Sequence, residues 1–261
     1  MSLIDRLNPR PGLRVLVTAG ASGIGAAIAR GFVEAGAEIM VCDIDDAALA
    51  AFAQAHPQVA TRRADVSDEA EVDGLLEAAA ARLGGLDVLV NNAGIAGPTG
   101  PIDRLEVEAI RRTLDVDLMG QFLVLRRAVP MLRDSAGAIV NISSVAGRLG
   151  YALRTPYSAA KWGIVGLTQS LAKELGPDGI RVNAILPGIV RGPRIEAVIR
   201  DRATASGFDY AAMEARYLES ISLRRMVEPE DVAAMALFLC APAGANISGQ
   251  AISVCGNVET I

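Results

Sequence analysis

Short runs of branched apolar residues alternate along this chain with longer stretches in which apolar positions recur every three or four residues. Leu13 to Thr18 is the first run. Ala19-Gly20-Ala21-Ser22-Gly23-Ile24-Gly25 follows, then a helical pattern through Ala35 closed by Gly36. Similar runs stand at Glu38 to Cys42, Val59 to Ala64, Leu86 to Val90, Ala138 to Ser143, Ile180 to Leu186 and Ala251 to Val254. Between them the spacing predicts helices from an Asp68 cap to Leu83, over about Arg104 to Arg133, over Thr155 to Gly176 and over Glu230 to Leu239. Asp45 and Asp46 follow Asp43, and His56, next to Pro57, is predicted as a solvated residue of a polar connection. Strands alternating with helices imply a parallel sheet with right-handed crossovers. No linker or shift in composition divides the chain.

Composition narrows the chemistry. With 261 residues, 51% of them hydrophobic, the chain can bury a sizeable core as one α/β domain. A net charge of −5 and no basic stripe argue against nucleic acid. Cys42, Cys240 and Cys255 lie far apart, so neither a structural disulfide nor a metal site is expected, and a reducing compartment fits. The single histidine, His56, excludes a histidine triad and a histidine-rich zinc site. Met1 to Gly12 lacks the apolar core of a signal peptide, and no segment of membrane-spanning length is free of charges and breakers. A soluble, cytoplasmic protein without a membrane partner is the expectation.

Candidate chemistry sits where predicted strands end. A glycine turn between a strand and a helix is the context in which backbone N–H groups and the helix dipole hold a pyrophosphate. Asp43, 18 residues after Gly25, stands where a carboxylate can accept the two hydroxyls of an adenosine ribose. No arginine stands in the turn to receive a 2′-phosphate; a plain tight turn with a solvated acidic loop is the alternative. Asn91-Asn92-Ala93-Gly94 closes another strand and suits either the floor of a flat ligand or a simple turn. Tyr157 and Lys161, four apart in a predicted helix, share one face. A cation there favours phenolate over phenol, so the tyrosine can exchange a proton with a substrate oxygen. Such a pair also arises by chance, but Ser144 adds a hydroxyl 13 residues upstream of Tyr157, at the end of an apolar run.

These motifs together resemble a classical short-chain dehydrogenase/reductase. The pieces are Thr18 to Gly25, Asp65-Val66, Asn91 to Gly94, Ser144, Tyr157 to Lys161 and Pro187-Gly188, in order over essentially the whole chain. The resemblance implies a single-domain Rossmann fold, a doubly wound parallel sheet of about seven strands with helices on both faces. It also implies an oxidoreductase for alcohols or carbonyls, usually a homotetramer, with a dimer as the runner-up. By resemblance Tyr157 is the acid/base, Lys161 tunes it and binds the nicotinamide ribose, and Ser144 orients the substrate oxygen. Cofactor contacts are implied for Ala19, Ser22, Gly23, Ile24, Gly25, Asp65, Val66, Asn92, Ala93, Gly94, Pro187 and Val190, besides Asp43, Tyr157 and Lys161. NAD is expected over NADP because Asp43 would repel a 2′-phosphate. Residues 191–222, charged and small with an amphipathic stretch near Tyr210 to Ile221, correspond to the family's substrate lid.

Three positions depart from the family pattern. Ala19 replaces the first glycine of the cofactor turn, which must then take a geometry that alanine tolerates. Asp117 stands in Val116-Asp117-Leu118 where the family has an asparagine that serves a proton relay behind the lysine. An ionised carboxylate can accept but not donate there. Val254-Cys255-Gly256-Asn257 replaces the usual Val-Asp-Gly-Gly, a change that bears on assembly or pocket shape.

Substrate identity is the least constrained expectation. Arg148 and Arg154 lie between Ser144 and Tyr157, and Arg191 and Arg194 open the lid segment. Arginine binds carboxylates with paired hydrogen bonds, so a small hydroxy acid is one candidate. A neutral polyol, sugar or cyclic ketone is the other, with solvent-facing or ion-paired arginines. A dinucleotide-binding sensor or scaffold without turnover is the alternative of a different class.

Overall fold

The computed structural model describes residues 2–258; the first residue and the last three of the 1–261 span lie outside the described residues. The strands are β1 (Arg14–Thr18), β2 (Glu38–Asp43), β3 (Ala60–Arg63), β4 (Val88–Asn91), β5 (Ala138–Ile142), β6 (Arg181–Pro187) and β7 (Ala251–Val254). They form one seven-stranded sheet in the order β3-β2-β1-β4-β5-β6-β7, every neighbouring pair parallel. The expected doubly wound sheet is therefore present. Strand order reverses between β1 and β4, and the crevice beyond their carboxyl ends is where such sheets hold ligands.

Alternate residues of each strand feed opposite faces. Leu16, Leu89 and Ile139 pack on one side with residues of α3 (Glu69–Leu83), α5 (Gly120–Arg133) and α6 (Thr155–Leu175). Val15, Val17, Val88 and Val90 pack on the other with α1 (Gly23–Glu34) and α9 (Pro229–Cys240). β4 and β5 are buried along their whole length, which is why they read as unbroken apolar runs. Among the described residues no helix is long and apolar enough to cross a membrane.

Three segments differ from their predicted form. The polar connection after Asp43 contains a helix, α2 (Asp46–Ala55), capped by the Asp45 carboxylate, which accepts the N–H groups of Ala47 and Ala48 at 2.9 and 3.1 Å. Leu49 and Phe52 are its buried side chains, and the ring of His56 lies 4.7 Å from that of Phe52 rather than free in solvent. The predicted 104–133 helix begins later, as α4 (Val107–Leu114), passes through a π-helical turn (Asp115–Met119) and continues as α5. Residues 191–222 carry two helices, α7 (Pro193–Ser206) and α8 (Tyr210–Glu219), over a separate apolar cluster that includes Ile199, Met213 and Ile221.

Candidate active site

A cavity of about 560 Å³ runs along the carboxyl edge of the sheet, from Asp43 past Tyr157 to Tyr217. At one end Ser22 leads into α1 without a side-chain cap, and no acidic residue occupies the helix's first turn. The orphan N–H groups and the positive end of the helix dipole thus face the cavity uncompensated. The chain reaches this geometry through a left-handed residue, Ala19, with φ of 48°. Gly25 lies behind the turn instead of on the cavity wall. A Cβ there would stand 2.1 Å from the Ala19 carbonyl oxygen and 2.5 Å from Asn92 Nδ2. Asn92 in turn donates to the carbonyls of Thr18 and Ala19 at 3.1 and 3.0 Å, tying β4 to the glycine turn.

Asp43, at the end of β2, is buried and held by three backbone donors. Ile44 and Asp45 N–H groups reach Oδ1 at 2.8 and 3.2 Å, and Ala21 N–H reaches Oδ2 at 3.3 Å. Its carboxylate is thereby fixed on the cavity wall beside the glycine turn. Asp65 lines the same end but is engaged within the chain, by Ser67 at 2.6 Å and Arg112 at 3.0 Å. Burial opposes its ionised form, yet the Ser67 and Arg112 hydrogen bonds outweigh it and hold the carboxyl below the usual range. Ala19, Ser22, Gly23, Ile24, Val66, Asn92, Ala93, Gly94, Pro187 and Val190 also border the cavity.

Further along, Ser144, Tyr157 and Lys161 meet on its wall. Contacts between the β5 loop and α6 set their relation. The Ser143 hydroxyl donates to the Lys161 carbonyl at 2.8 Å, and the Ser158 hydroxyl to the Ala146 carbonyl at 2.8 Å. Gly147 permits the approach, since a Cβ would fall 2.6 Å from the Lys161 carbonyl oxygen. Ser144 accepts the Ala146 N–H at 3.1 Å, which leaves its own proton available to a ligand. The Lys161 ammonium, 5.5 Å from the centre of the Tyr157 ring, donates to the Ile142 carbonyl at 3.4 Å.

Behind the lysine lies Asp117, which does not border the cavity. Its side chain is fully buried on the π turn, with Oδ1 accepting the Ile95 N–H at 2.6 Å and Oδ2 3.4 Å from Lys161 Nζ. A π turn displaces the residues after it relative to an α-helix, a feature frequent at functional sites. Here it carries the departure from the family's asparagine.

The arginines separate. Arg148 is exposed and donates to the Ser253 hydroxyl at 3.1 Å, away from the cavity, so its expected place beside a substrate is corrected. Arg194 borders the cavity, donates to the Gly94 carbonyl at 3.1 Å and lies 5.9 Å from the Tyr157 ring centre. Arg191 pairs with Glu228 at 2.8 Å on the surface. Arg154 is only 3% exposed, donates to the Ala96 carbonyl and sits 4.9 Å from the Tyr157 ring centre. The sequence pattern alone does not mark Tyr151, Tyr217 or the tether Ser143 as part of the site. Two tyrosines on the flanks of the proposed site, one in the amphipathic part of the lid segment, were the available signal.

A family model described as enoyl-(acyl carrier protein) reductase matches residues 18–257. The chain belongs to the short-chain dehydrogenase/reductase family. It is 40% identical over 252 residues to cis-4-hydroxycyclohexanecarboxylate dehydrogenase of Sinomonas cyclohexanicum, covering 94% of this chain and 96% of the relative. Galactitol 2-dehydrogenase of Agrobacterium fabrum (strain C58 / ATCC 33970) is 36% identical over 244 residues, with 92% and 95% covered. Among solved structures, an actinorhodin polyketide ketoreductase variant with NADPH superposes with a TM-score of 0.91 at 33% identity, over 96% of this chain and 98% of that one. As a member of this family the chain is an oxidoreductase with a nicotinamide-dinucleotide fold. Its uncapped α1 terminus, the close-packed glycine turn and the fixed Asp43 carboxylate fit such a cofactor.

Proposed function

We propose that this protein oxidises a secondary alcohol, or reduces the matching ketone, with NAD. The observation that carries the reading is the meeting of Ser144, Tyr157 and Lys161 on one cavity whose far end holds Asp43. When bound, the nicotinamide supplies the hydride acceptor or donor. Asp43 would hold the adenosine ribose, the α1 terminus the pyrophosphate, and Lys161 the nicotinamide ribose. Ser144 donates a hydrogen bond to the carbinol or carbonyl oxygen, and the Tyr157 hydroxyl takes up or gives the proton on that oxygen. The helices of residues 191–222 roof the substrate end through Arg194, Ile195, Val198 and Tyr217, and so limit water there.

NAD is preferred over NADP in this reading. A 2′-phosphate beside the Asp43 carboxylate would meet a like charge costing on the order of 1–4 kcal/mol. The substrate is a secondary alcohol on a ring or short polyol; the hydroxycyclohexanecarboxylate and galactitol dehydrogenases above support both forms. We place the enzyme in the cytoplasm as a homotetramer or dimer. Exposed Met119, Phe122 and Trp162 on α5, α6 and the turn between α4 and α5 support assembly. Of the small residues on α6, Ala159 and Gly166 are exposed and available to a second copy, whereas Ala160 is buried and Gly163 faces Leu118.

The test is formation of NADH from NAD with a panel of cyclic and open-chain secondary alcohols. Turnover on at least one class is expected. Tight NADH binding with no turnover across the panel would favour the sensor reading, against which the complete Ser144, Tyr157 and Lys161 set now counts.

A further inference from the structure

The substrate end of the cavity carries positive charge that the protein itself does not neutralise. Arg154 is nine-tenths buried and borders the cavity, yet none of the ion pairs among the described residues includes it. One Nη2 donor is used on the Ala96 carbonyl, while the buried Nε–H has no acceptor. A buried charged donor left without a partner is costly, more so than a neutral one. The rings of Tyr151 and Tyr157, 5.3 and 4.9 Å from the guanidinium carbon, offset part of that cost but supply no anion.

Three further features adjoin Arg154 or its tyrosine neighbours. Arg154 is the N-cap residue of α6, a helix of 21 residues with no side-chain cap and no acidic residue in its first turn. The helix dipole therefore adds to the positive potential. A second guanidinium, Arg202 of α7, is not part of the cavity wall but lies 5.3 Å from the Tyr151 ring centre and 5.7 Å from that of Tyr217, also without an ion-pair partner among the described residues. The Tyr151 and Tyr217 hydroxyls share a hydrogen bond of 2.9 Å. That bond uses one of their two protons and leaves the other to donate. Burial, with Tyr217 adding to it, pushes the Tyr151 phenol upward, so it stays a donor at neutral pH.

We propose that Arg154, supported by the Tyr151–Tyr217 pair and the α6 N-terminus, is a carboxylate-binding subsite, and that the substrate is a ring alcohol bearing a carboxylate. The proposal rests on the oxidoreductase reading above and specifies its substrate. Position explains the pairing: the guanidinium lies against the Tyr157 ring, so one compact molecule can reach both groups. It also replaces the expected arginine set. Arg154 receives the anion, Arg148 takes no part, and Arg194, exposed on the lid segment, lies nearer to solvent.

The test compares 4-hydroxycyclohexanecarboxylate with 4-methylcyclohexanol and 4-hydroxycyclohexanecarboxamide as substrates of wild type, Arg154→Gln, Arg154→Lys and Tyr151→Phe. NADH binding is followed in each. Wild type should prefer the acid in kcat/KM by about 100-fold, the scale of a hydrogen-bonded charge pair. Arg154→Gln should remove that preference, read within the variant as the ratio of kcat/KM for the acid to that for the neutral alcohols, with Arg154→Lys restoring part of it. If Arg154→Gln does not fold, inhibition of wild type by cyclohexanecarboxylate, much tighter than by its carboxamide, is the supporting result. Equal inhibition by both would overturn the subsite. Turnover of neutral alcohols with no preference for the acid would also overturn it and leave the oxidoreductase reading intact. No turnover of any alcohol would remove that reading itself.

Discussion

The Lys161 ammonium and the Asp117 carboxylate form a buried ion pair at 3.4 Å, with side chains 4% and 0% exposed. Desolvating both charges is expensive; their mutual attraction, the Ile95 N–H on Asp117 and the Ile142 carbonyl on Lys161 offset it. Removing one partner strands the other. Asp117→Ala is therefore expected to lower unfolding free energy by about 3–5 kcal/mol. Asp117→Asn should cost less, because an amide oxygen can still accept the Ile95 N–H. Urea titration of the two variants checks this, and an Ala variant within 1 kcal/mol of wild type (about the worth of an exposed pair) would contradict it.

Asp43 should decide between the dinucleotides. Asp43→Ser keeps a hydroxyl beside the ribose and removes the charge. The ratio of kcat/KM with NADP to that with NAD is expected to rise about tenfold to several hundredfold, the range that 1–4 kcal/mol of like-charge repulsion gives. An unchanged ratio would detach Asp43 from cofactor choice.

The glycine turn separates two effects of a methyl group. At Gly25 an added Cβ meets backbone at 2.1 Å, so Gly25→Ala must displace the turn or Asn92 and should weaken NADH binding at least ~10-fold, about 1.4 kcal/mol. At Ala19 the strain is already present, with φ of 48°. Ala19→Gly relieves about 1–2 kcal/mol of left-handed strain and loses about 0.5–1 kcal/mol to chain entropy. A small gain in stability with unchanged NADH affinity is the expected result, read by titration and by thermal unfolding.

Much of this site was legible in the chain, and particular residues show why. Strand ends are marked where branched apolar runs stop at polar residues, so Asp43, Ser144 and the Asn91 to Gly94 segment could be placed from local pattern alone. Helix α2 was not, because Ala47, Ala48, Ala50, Ala51 and Ala53 give no contrast between faces and only Leu49 and Phe52 are buried. The π turn at Asp115–Met119 was hidden for a related reason: one extra residue per turn barely alters the apolar spacing. Arg148 and Arg154 could not be told apart, since six residues of irregular chain carry no periodic signal for direction. Ser253 on β7 takes the first, while the second donates to the Ala96 carbonyl beyond β4. Those are contacts across the fold.

Acid should weaken the amino end of the sheet through Asp87. Its carboxylate accepts Arg14 Nε and Nη2 at 2.9 Å each and the Arg14 backbone N–H at 2.8 Å. The Arg14 hydrogen bond, against some desolvation, holds the Asp87 carboxyl below its usual value. A carboxyl depressed on folding contributes stability that is present above the unfolded value of about 3.9 and is lost as pH falls through the folded value. Asp87→Asn should thus be less stable than wild type at pH ~7, and the gap should close below pH ~4. A gap independent of pH would remove the electrostatic explanation.

The proposed chemistry of the whole site turns on the Tyr157 hydroxyl. Removing it as Tyr157→Phe leaves the ring against Lys161, Arg154 and Arg194 and deletes only the proton carrier. The decisive measurement is the rate of NADH formation from NAD with a secondary ring alcohol, wild type against Tyr157→Phe, with NADH binding measured on both. A loss of about 10²–10⁴-fold in kcat with binding preserved is the predicted result. Equal turnover by the two proteins would contradict it.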